Sequence, residues 1–172
     1  SPTVVSSPGK VLLTGGYLVL ERPNAGLVVS ASARFYALVD TVPREAEAAL
    51  SSDCISVRVR SPQFRKIFTM NAKVNDGECP TVLDGDAPAF VDWALFFAIE
   101  IARQLRPERL AVLVGPHAPC LRVTLCADNG FYSHRDTLRA SGKLVTAAEL
   151  ASLPRFHACP PSLAKTGMGS SA

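Results

Sequence analysis

Residues 55–60 alternate strictly between apolar and polar. Ile55, Val57 and Val59 are apolar, and Ser56, Arg58 and Arg60 lie between them. Successive side chains of a strand point to opposite faces, so this period of two predicts a half-buried strand. Ser61-Pro62 ends it, because proline has no amide to give to a ladder. Lys66 to Val74 is predicted to pair back onto it. Earlier in the chain the apolar pattern is denser. Lys10 to Leu20 is apolar nearly throughout and carries a Gly15-Gly16 interruption, which in a strand marks a bulge or a close backbone approach to a ligand. Leu27 to Ser32 and Phe35 to Val42 come after a turn signal at Pro23-Asn24 and read as a meander or adjacent antiparallel strands. Arg44 to Asp53 is rich in Ala and Glu and reads as a short helix or a loop.

The period changes at Pro88. From there to Leu105, Phe90, Ala94, Phe97, Ile101 and Leu105 recur at helical spacing and form one apolar face. The Phe and Trp residues of this helix are expected in the core. Pro88 suits the first turn, Asp86 can help cap it, and Arg106-Pro107 stops it. Leu110 to Val114 and Leu121 to Ala127 are predicted strands, Thr146 to Leu153 is a predicted short helix, and Pro160-Pro161 opens an irregular approach to the last residues. Strands, then one long helix, then strands again predict an α+β fold.

Composition narrows the function classes. The 172 residues suffice for one domain with a real core, and 48% apolar against 19% charged is globular rather than disordered. The net charge is +3, and the basic clusters are short, as at Arg58, Arg60, Arg65 and Lys66. Nucleic-acid binding needs a dense one-sided stripe, so no nucleic-acid partner is expected, whereas a modest positive balance suits an anionic substrate. The five cysteines, at 54, 79, 120, 126 and 159, are odd in number, widely spaced and without a C-x-x-C, which argues against a disulfide scaffold or zinc site and for thiols in a reducing compartment. His117, His134 and His157 show no ligand spacing and read as surface or structural residues. The start, Ser1-Pro2-Thr3-Val4-Val5-Ser6, lacks a basic region followed by a long apolar run, so no signal peptide is expected. No segment supplies the roughly 20 apolar residues of a membrane span, and no membrane partner is expected.

The chemistry lies near the two ends. The last residues are Lys165-Thr166-Gly167-Met168-Gly169-Ser170-Ser171-Ala172. Glycines let backbone amides approach an anion closely, the two serines add hydroxyls for phosphate or a metal ion, and the lysine adds charge. A Gly/Ser-rich flexible tail is the bland alternative. A Walker A loop is excluded, since no G-x-x-x-x-G-K-[ST] occurs. Gly167, Gly169 and Ala172 do match the dinucleotide pattern G-x-G-x-x-A, but Cys159-Pro160-Pro161-Ser162 ahead of them makes a poor parallel strand.

Near the other end stands Ser7-Pro8-Gly9-Lys10-Val11-Leu12-Leu13-Thr14-Gly15-Gly16-Tyr17-Leu18-Val19-Leu20. A Pro-Gly-Lys turn entering an apolar strand, then Gly-Gly-Tyr, resembles the first motif of the GHMP-superfamily kinases. The Gly167 to Ala172 segment resembles their second, usually written Gly-Leu-Gly-Ser-Ser-Ala, with Met168 at the leucine. Most of the superfamily has Gly-Glu-His where this chain has Gly15-Gly16-Tyr17, and the Gly-Gly-Tyr form resembles the phosphomevalonate kinase branch. Ser61-Pro62-Gln63-Phe64, Ala127-Asp128-Asn129-Gly130-Phe131-Tyr132-Ser133 and Lys165-Thr166-Gly167 resemble the same branch. The resemblance spans residues 7 to 172, and its specificity lies in the order of motifs that are each weak alone.

The resemblance implies the fold, the reaction and the roles. The fold would be a GHMP-kinase N-terminal domain, similar to the second domain of ribosomal protein S5, covering residues 1–172 and ending inside the phosphate-binding loop, with the C-terminal domain absent. The reaction would move the γ-phosphoryl of ATP onto phosphomevalonate, with Mg²⁺ as cofactor. Lys10 would be catalytic and touch substrate, and Gly16 and Tyr17 would border the substrate pocket. Lys165, Gly167, Met168, Gly169, Ser170, Ser171 and Ala172 would bind the ATP phosphates, with Ser171 also on the metal. Ser61, Gln63, Asp128 and Asn129 would neighbour the adenosine. The aspartate catalytic in many GHMP kinases has no match here, and the 172 residues alone are expected to be inactive unless a second chain carries the remaining half. The expected compartment is the cytoplasm, with a peroxisome-type organelle as the alternative.

Bland readings stand beside several of these. Lys10 also reads as a strand-edge lysine, Asp128 and Asn129 as turn formers, and Tyr17 as core packing. The rival functions are another GHMP kinase, such as mevalonate kinase, and a noncatalytic S5-like binding module.

Overall fold

The computed structural model describes residues 2–44, 52–74, 81–85 and 89–160. Six strands are present among them: β1 (Thr3–Thr14), β2 (Leu27–Val42), β3 (Cys54–Ser61), β4 (Lys66–Lys73), β5 (Thr81–Gly85) and β6 (Cys120–Ala127). The helices are α1 (Ala89–Leu105), α2 (Pro107–Ala111), α3 (Arg135–Ala140) and α4 (Ala147–Ala151). The hydrogen-bonding order of the strands is β1-β2-β6-β3-β4-β5. Mixed sheet and helices make the chain α+β, as the sequence predicts. It divides into two compact units.

The first unit holds Leu38–Ser61 and Arg65–Thr124, with the first few residues of the chain. Its frame is the antiparallel β3–β4 ladder, with Cys54 opposite Lys73 and Ser61 opposite Lys66. β5 pairs antiparallel with β4, with a register shift at Asn71/Ala72. β6 pairs parallel with β3, the register running from Leu121 opposite Val57 to Thr124 opposite Arg60. A parallel pair needs a long crossover, and the chain between β3 and β6 contains β4, β5, α1 and α2. The alternation of β3 sorts its faces: Ile55, Val57 and Val59 are buried, as are Met70 and Ala72 of β4, while Cys54 is buried at the start of the strand. Each large aliphatic side chain so buried contributes about 1.5–3 kcal/mol. Across the half-exposed side, Arg122 of β6 makes a two-pronged ion pair with Asp40 of β2. The Arg122 guanidinium holds the Asp40 carboxyl below its usual range.

The second unit holds Val5–Ala37, Pro62–Phe64 and the chain from Leu125 onwards. Its core is Ala127, Phe131, Tyr132 and Cys159, with Ala33, Phe35 and Phe64 packed against it. The aromatic rings meet edge to face, Phe35 on Phe131 at 6.0 Å and Phe64 on Tyr132 at 5.2 Å. α4 is capped as its sequence suggests, the Thr146 hydroxyl accepting from the Glu149 amide at 3.2 Å.

Several expectations need correction. The apolar run from Lys10 does not stay a strand to Leu20. β1 stops at Thr14, and Gly16–Leu20 forms a 3₁₀ helix. Gly15, at φ 110°, turns the chain where only glycine fits: a Cβ there would sit 2.8 Å from the Gly26 Cα. The close backbone approach flagged by Gly15-Gly16 is thus to the chain itself. The two strands predicted within 27–42 are one, because no glycine, proline or asparagine stands at Ala33-Arg34 to break it. Leu110–Val114 is not a strand. Pro107 occupies the first turn of α2, which buries Leu110, and only Val114 reaches a ladder, as an isolated bridge to Ile55. β5 and α3 carry no pattern long enough to foresee.

The bounds of α1 agree with prediction, but its aromatic face is not core. Val91 and Ile99 are buried, whereas Trp93 is 60% and Phe97 55% exposed. Trp93, Phe96 and Phe97 pack on one another, with ring centroids 5.3–6.0 Å apart. Periodicity locates an apolar face and does not say what covers it. Asp86 and Pro88, the expected cap and first-turn residues, lie outside the described residues, as does most of 44–53.

Candidate functional site

The sequence singles out four groups of residues, and the structure treats each differently. Lys10 lies on β1 with its side chain exposed, immediately after the buried Gly9. Gly16 opens the 3₁₀ turn at φ 44°, and Tyr17 beside it is 92% exposed, which removes the core-packing reading of that ring. Ser61 ends β3 and is half-buried. Lys165, Gly167, Met168, Gly169, Ser170, Ser171 and Ala172 lie outside the described residues.

Gln63, Asp128 and Asn129 do come together, in the second unit. Gln63 follows the end of β3 in a single 3₁₀ turn and is 2% exposed. Its Oε1 accepts from the Ala127 amide at 2.7 Å, and its Nε2 donates to the Ala127 carbonyl at 3.0 Å and the His157 carbonyl at 3.3 Å. The Gln63 carbonyl accepts from the Cys159 amide at 2.7 Å. A buried amide with its donors and acceptor satisfied is a rigid clamp.

Asp128 and Asn129 follow β6 directly. The Asp128 carboxylate accepts from the Arg34 amide at 2.8 Å and from Arg155 Nε at 3.2 Å, with the Tyr36 hydroxyl at 3.5 Å. Arg34 in turn holds β1, donating to the Ser6 hydroxyl at 2.8 Å and the Ser6 carbonyl at 2.9 Å. Asn129 donates to the Pro154 carbonyl at 3.1 Å and accepts from the His157 amide at 3.0 Å. These side chains do shape a turn, and they also tie it to residues far along the chain.

Arg155 and Tyr36 belong to this cluster and sequence reasoning missed them. Arg155 donates to the Tyr36 hydroxyl, and its guanidinium lies 5.0 Å from the Tyr36 ring centroid and 4.9 Å from that of Phe156. A lone arginine in a proline-flanked irregular stretch is a weak signal. Asp128, Asn129, Gly130, Leu150, Leu153 and Arg155 line an open cleft of about 310 Å³.

Burial shifts three titratable groups nearby, Tyr132, Cys159 and His134. Burial, helped by the neighbouring Cys159 and Cys126 sulfurs, pushes the Tyr132 hydroxyl up to about 12. Burial pushes the Cys159 thiol up to about 11. His134, 2% exposed, has its imidazole pulled below the usual value by burial and then by His157, whose ring stands 5.4 Å away. Neither His134 ring nitrogen has a hydrogen-bond partner among the described residues. No group of three or more His, Cys, Asp or Glu side chains among the described residues is placed to hold a metal ion. The described cluster holds backbone in place and lines a cleft. Among the described residues, no helix is long and apolar enough to cross a membrane.

No family model matches the chain. Individual proteins do. The chain is 35% identical to the peroxisomal phosphomevalonate kinase of Arabidopsis thaliana, over 98% of its own length and 36% of that protein. It is 32% identical to phosphomevalonate kinase erg8 of Aspergillus fumigatus, over 99% of its length and 38% of the relative. It is 31% identical to phosphomevalonate kinase ERG8 of Gibberella zeae, over 99% and 37%. The chain thus resembles phosphomevalonate kinases across nearly all its residues and spans little more than a third of the length of these relatives.

Proposed function

We propose that this chain forms the N-terminal part of an ATP-dependent phosphomevalonate kinase, which transfers the γ-phosphoryl of ATP to (R)-5-phosphomevalonate and yields ADP and 5-diphosphomevalonate. The similarity to phosphomevalonate kinases over 97–99% of the chain carries this reading. It favours that activity over mevalonate kinase and over a noncatalytic binding module. The α+β sheet is compatible with a GHMP-kinase domain of the S5-like kind. The relatives carry their further length within one polypeptide, which favours completion of the site by the same chain over completion by a second one. The cytoplasm remains the proposed compartment, and the peroxisomal Arabidopsis relative supports a peroxisome as the alternative.

The acceptor in this reaction is a phosphate oxygen, already ionised at neutral pH. No strong general base is needed, and the work is alignment and charge neutralisation between two anions. Lys10, exposed on β1, is proposed to neutralise the transferring phosphoryl or the acceptor phosphate. Gly16 and the exposed Tyr17 are proposed to border the acceptor. Lys165, Gly167, Met168, Gly169, Ser170 and Ala172 are proposed to hold the ATP phosphates through backbone amides and the lysine charge. Mg²⁺, when bound, would supply further positive charge, and the Ser171 hydroxyl is the ligand proposed for it from this chain. The cleft beside Asp128 and Asn129 supports an adenosine neighbourhood on that side of the second unit; Gln63 and Ser61 are proposed to neighbour it as well.

An ADP-release assay on the intact protein tests the reading, with phosphomevalonate and mevalonate offered separately under MgATP. Turnover of phosphomevalonate with little of mevalonate is expected. Faster turnover of mevalonate overturns the assignment.

A further inference from the structure

Most polar groups around the cleft of the second unit are already engaged within the fold. Both Asp128 carboxylate oxygens accept hydrogen bonds, one from Arg155 Nε at 3.2 Å and the other from the Arg34 amide at 2.8 Å. The Asn129 side chain is taken up by backbone, donating to the Pro154 carbonyl at 3.1 Å and accepting from the His157 amide at 3.0 Å. Arg155 differs. Its Nε and Nη2 donate to Asp128 and to the Tyr36 hydroxyl, while Nη1 has no hydrogen-bond partner among the described residues. An exposed arginine is ordinarily free to move, and a ligand that orders it loses affinity by doing so. Here the ordering precedes the ligand. The guanidinium lies 5.0 Å from the Tyr36 ring centroid and 4.9 Å from that of Phe156. Phe156 sits at φ 58°, a left-handed conformation that a non-glycine residue keeps only where its surroundings over-determine it, and such strain clusters at ligand clamps. The Tyr36 ring meets the Phe156 ring edge-on at 5.4 Å.

The cleft beside this fixed donor has two kinds of lining. Asp128, Asn129 and Arg155 are polar, whereas Ala147, Leu150 and Leu153, in and just after α4, are apolar, with both leucines half-buried. Its volume of about 310 Å³ falls at the small end of ligand clefts. The charged lining residues are one arginine and one aspartate, and they are paired with each other. No surplus of positive charge is left among them to attract a phosphate chain. Such a lining suits a small, flat, uncharged ring with an acceptor on its edge, which describes a nucleobase. We propose that Arg155 is a specificity-determining residue of the kinase, a fixed donor that reads a ring-nitrogen acceptor of adenine while Leu150 and Leu153 cover the ring. The proposal rests on the kinase reading above and deepens it, by naming the part of the nucleotide that the cleft takes and the side chain that reads it.

The test uses the intact protein as wild type, Arg155→Ala, Arg155→Lys and Leu150→Ala. Binding is measured for MgATP, for its 1-deaza, 3-deaza and 7-deaza analogues, each of which replaces one ring acceptor by C–H, and for inorganic triphosphate as a probe with no base. In wild type at least one analogue should bind about tenfold or more weaker than ATP. In Arg155→Ala, ATP itself should weaken by about that factor, and the penalty of that analogue should shrink to within about twofold, as in a double-mutant cycle. Arg155→Lys keeps the charge without the anchored planar fork and should lose the penalty as well, so it carries the same reading if Arg155→Ala does not fold. Leu150→Ala should weaken ATP a few-fold and keep the penalty. Triphosphate binding should stay within about twofold throughout. A merely structural Arg155 would weaken ATP and all three analogues alike and leave the penalty in place, and that result overturns the proposal. Equal binding of ATP and all three analogues by wild type also overturns it. A wild type that binds no MgATP overturns the kinase reading and this proposal together, whereas an Arg155→Ala protein that binds ATP as tightly as an active wild type overturns the proposal alone.

Discussion

Strands β3 and β1 are both rich in aliphatic residues, yet they bury them in opposite measure. In β3 the apolar positions alternate, and Ile55, Val57 and Val59 are shielded from solvent. In β1 the apolar residues run together, and Val4, Val5, Leu12 and Leu13 are exposed, with Gly9 the buried position of the strand. The start of β2 is similar, with Leu27, Val28 and Val29 exposed. Alternation tells a strand which face to bury. A continuous apolar run asks for cover on both faces, which the described residues do not supply. Lys10, Gly16 and Tyr17 all lie in that exposed region. The core of the first unit serves the fold, while the region around β1 carries the residues proposed above for the reaction.

This contrast can be broken by substitution. Ile55→Ala should cost about 2–5 kcal/mol by loss of buried contacts and cavity formation. Leu13→Ala should change the stability of this chain by less than about 0.5 kcal/mol, as expected of an exposed site. Paired denaturant melts measure both, and equal costs at the two strands would remove the contrast.

Gly15 sharpens the picture, since it is the point in the exposed region where the fold itself is at stake. Gly15→Ala would place a Cβ 2.8 Å from the Gly26 Cα at φ 110° and should cost about 1–3 kcal/mol. Gly16→Ala has nothing within 4 Å and carries only the cost of its φ of 44°, about 1 kcal/mol. A melt in which Gly16→Ala is the worse of the two would contradict the close approach of Gly15 and Gly26.

A smaller effect separates buried from exposed polar groups. In the folded chain burial, then His157, lowers the His134 pKa from the usual 6.5. The unfolded chain therefore takes up a proton that the fold refuses. Its stabilising contribution is full above pH 6.5 and is lost as the pH falls from that value towards the lowered one. Denaturant midpoints at pH 8 and pH 5 should differ less in His134→Phe than in wild type. An identical pH dependence in the two would show that His134 takes no part in it.

The fold was legible where pattern and neighbours agree. The alternation of residues 55–60, the return strand after Pro62, the length of α1 and a short helix within Thr146 to Leu153 all follow from local rules and match the observed elements. Pro107 was read as a stop, although the same residue starts α2 one position later. The unbroken β2 shows that two apolar runs separated by Ala33-Arg34 need a breaker before they become two strands. Of the candidate site, Gln63, Asp128 and Asn129 were visible as residues but not in their use. That use depends on Arg34, Tyr36 and residues 154–159, which stand far from them in sequence and carry no periodicity. The exposure of Trp93 and Phe97 was hidden for a related reason, since a helical stripe does not reveal its partner.

The contrast between β3 and β1 turns most directly on Lys10. In the intact protein, Lys10→Ala removes an exposed cation from β1, the strand that carries residues proposed for the reaction. The measurement is kcat for phosphomevalonate phosphorylation alongside the melting temperature of the same preparation. The account predicts a fall in kcat of about a hundredfold or more, as for loss of other transition-state charge donors, with melting nearly unchanged. A sharp drop in melting temperature with normal kcat in the folded fraction would contradict it and make Lys10 a structural residue.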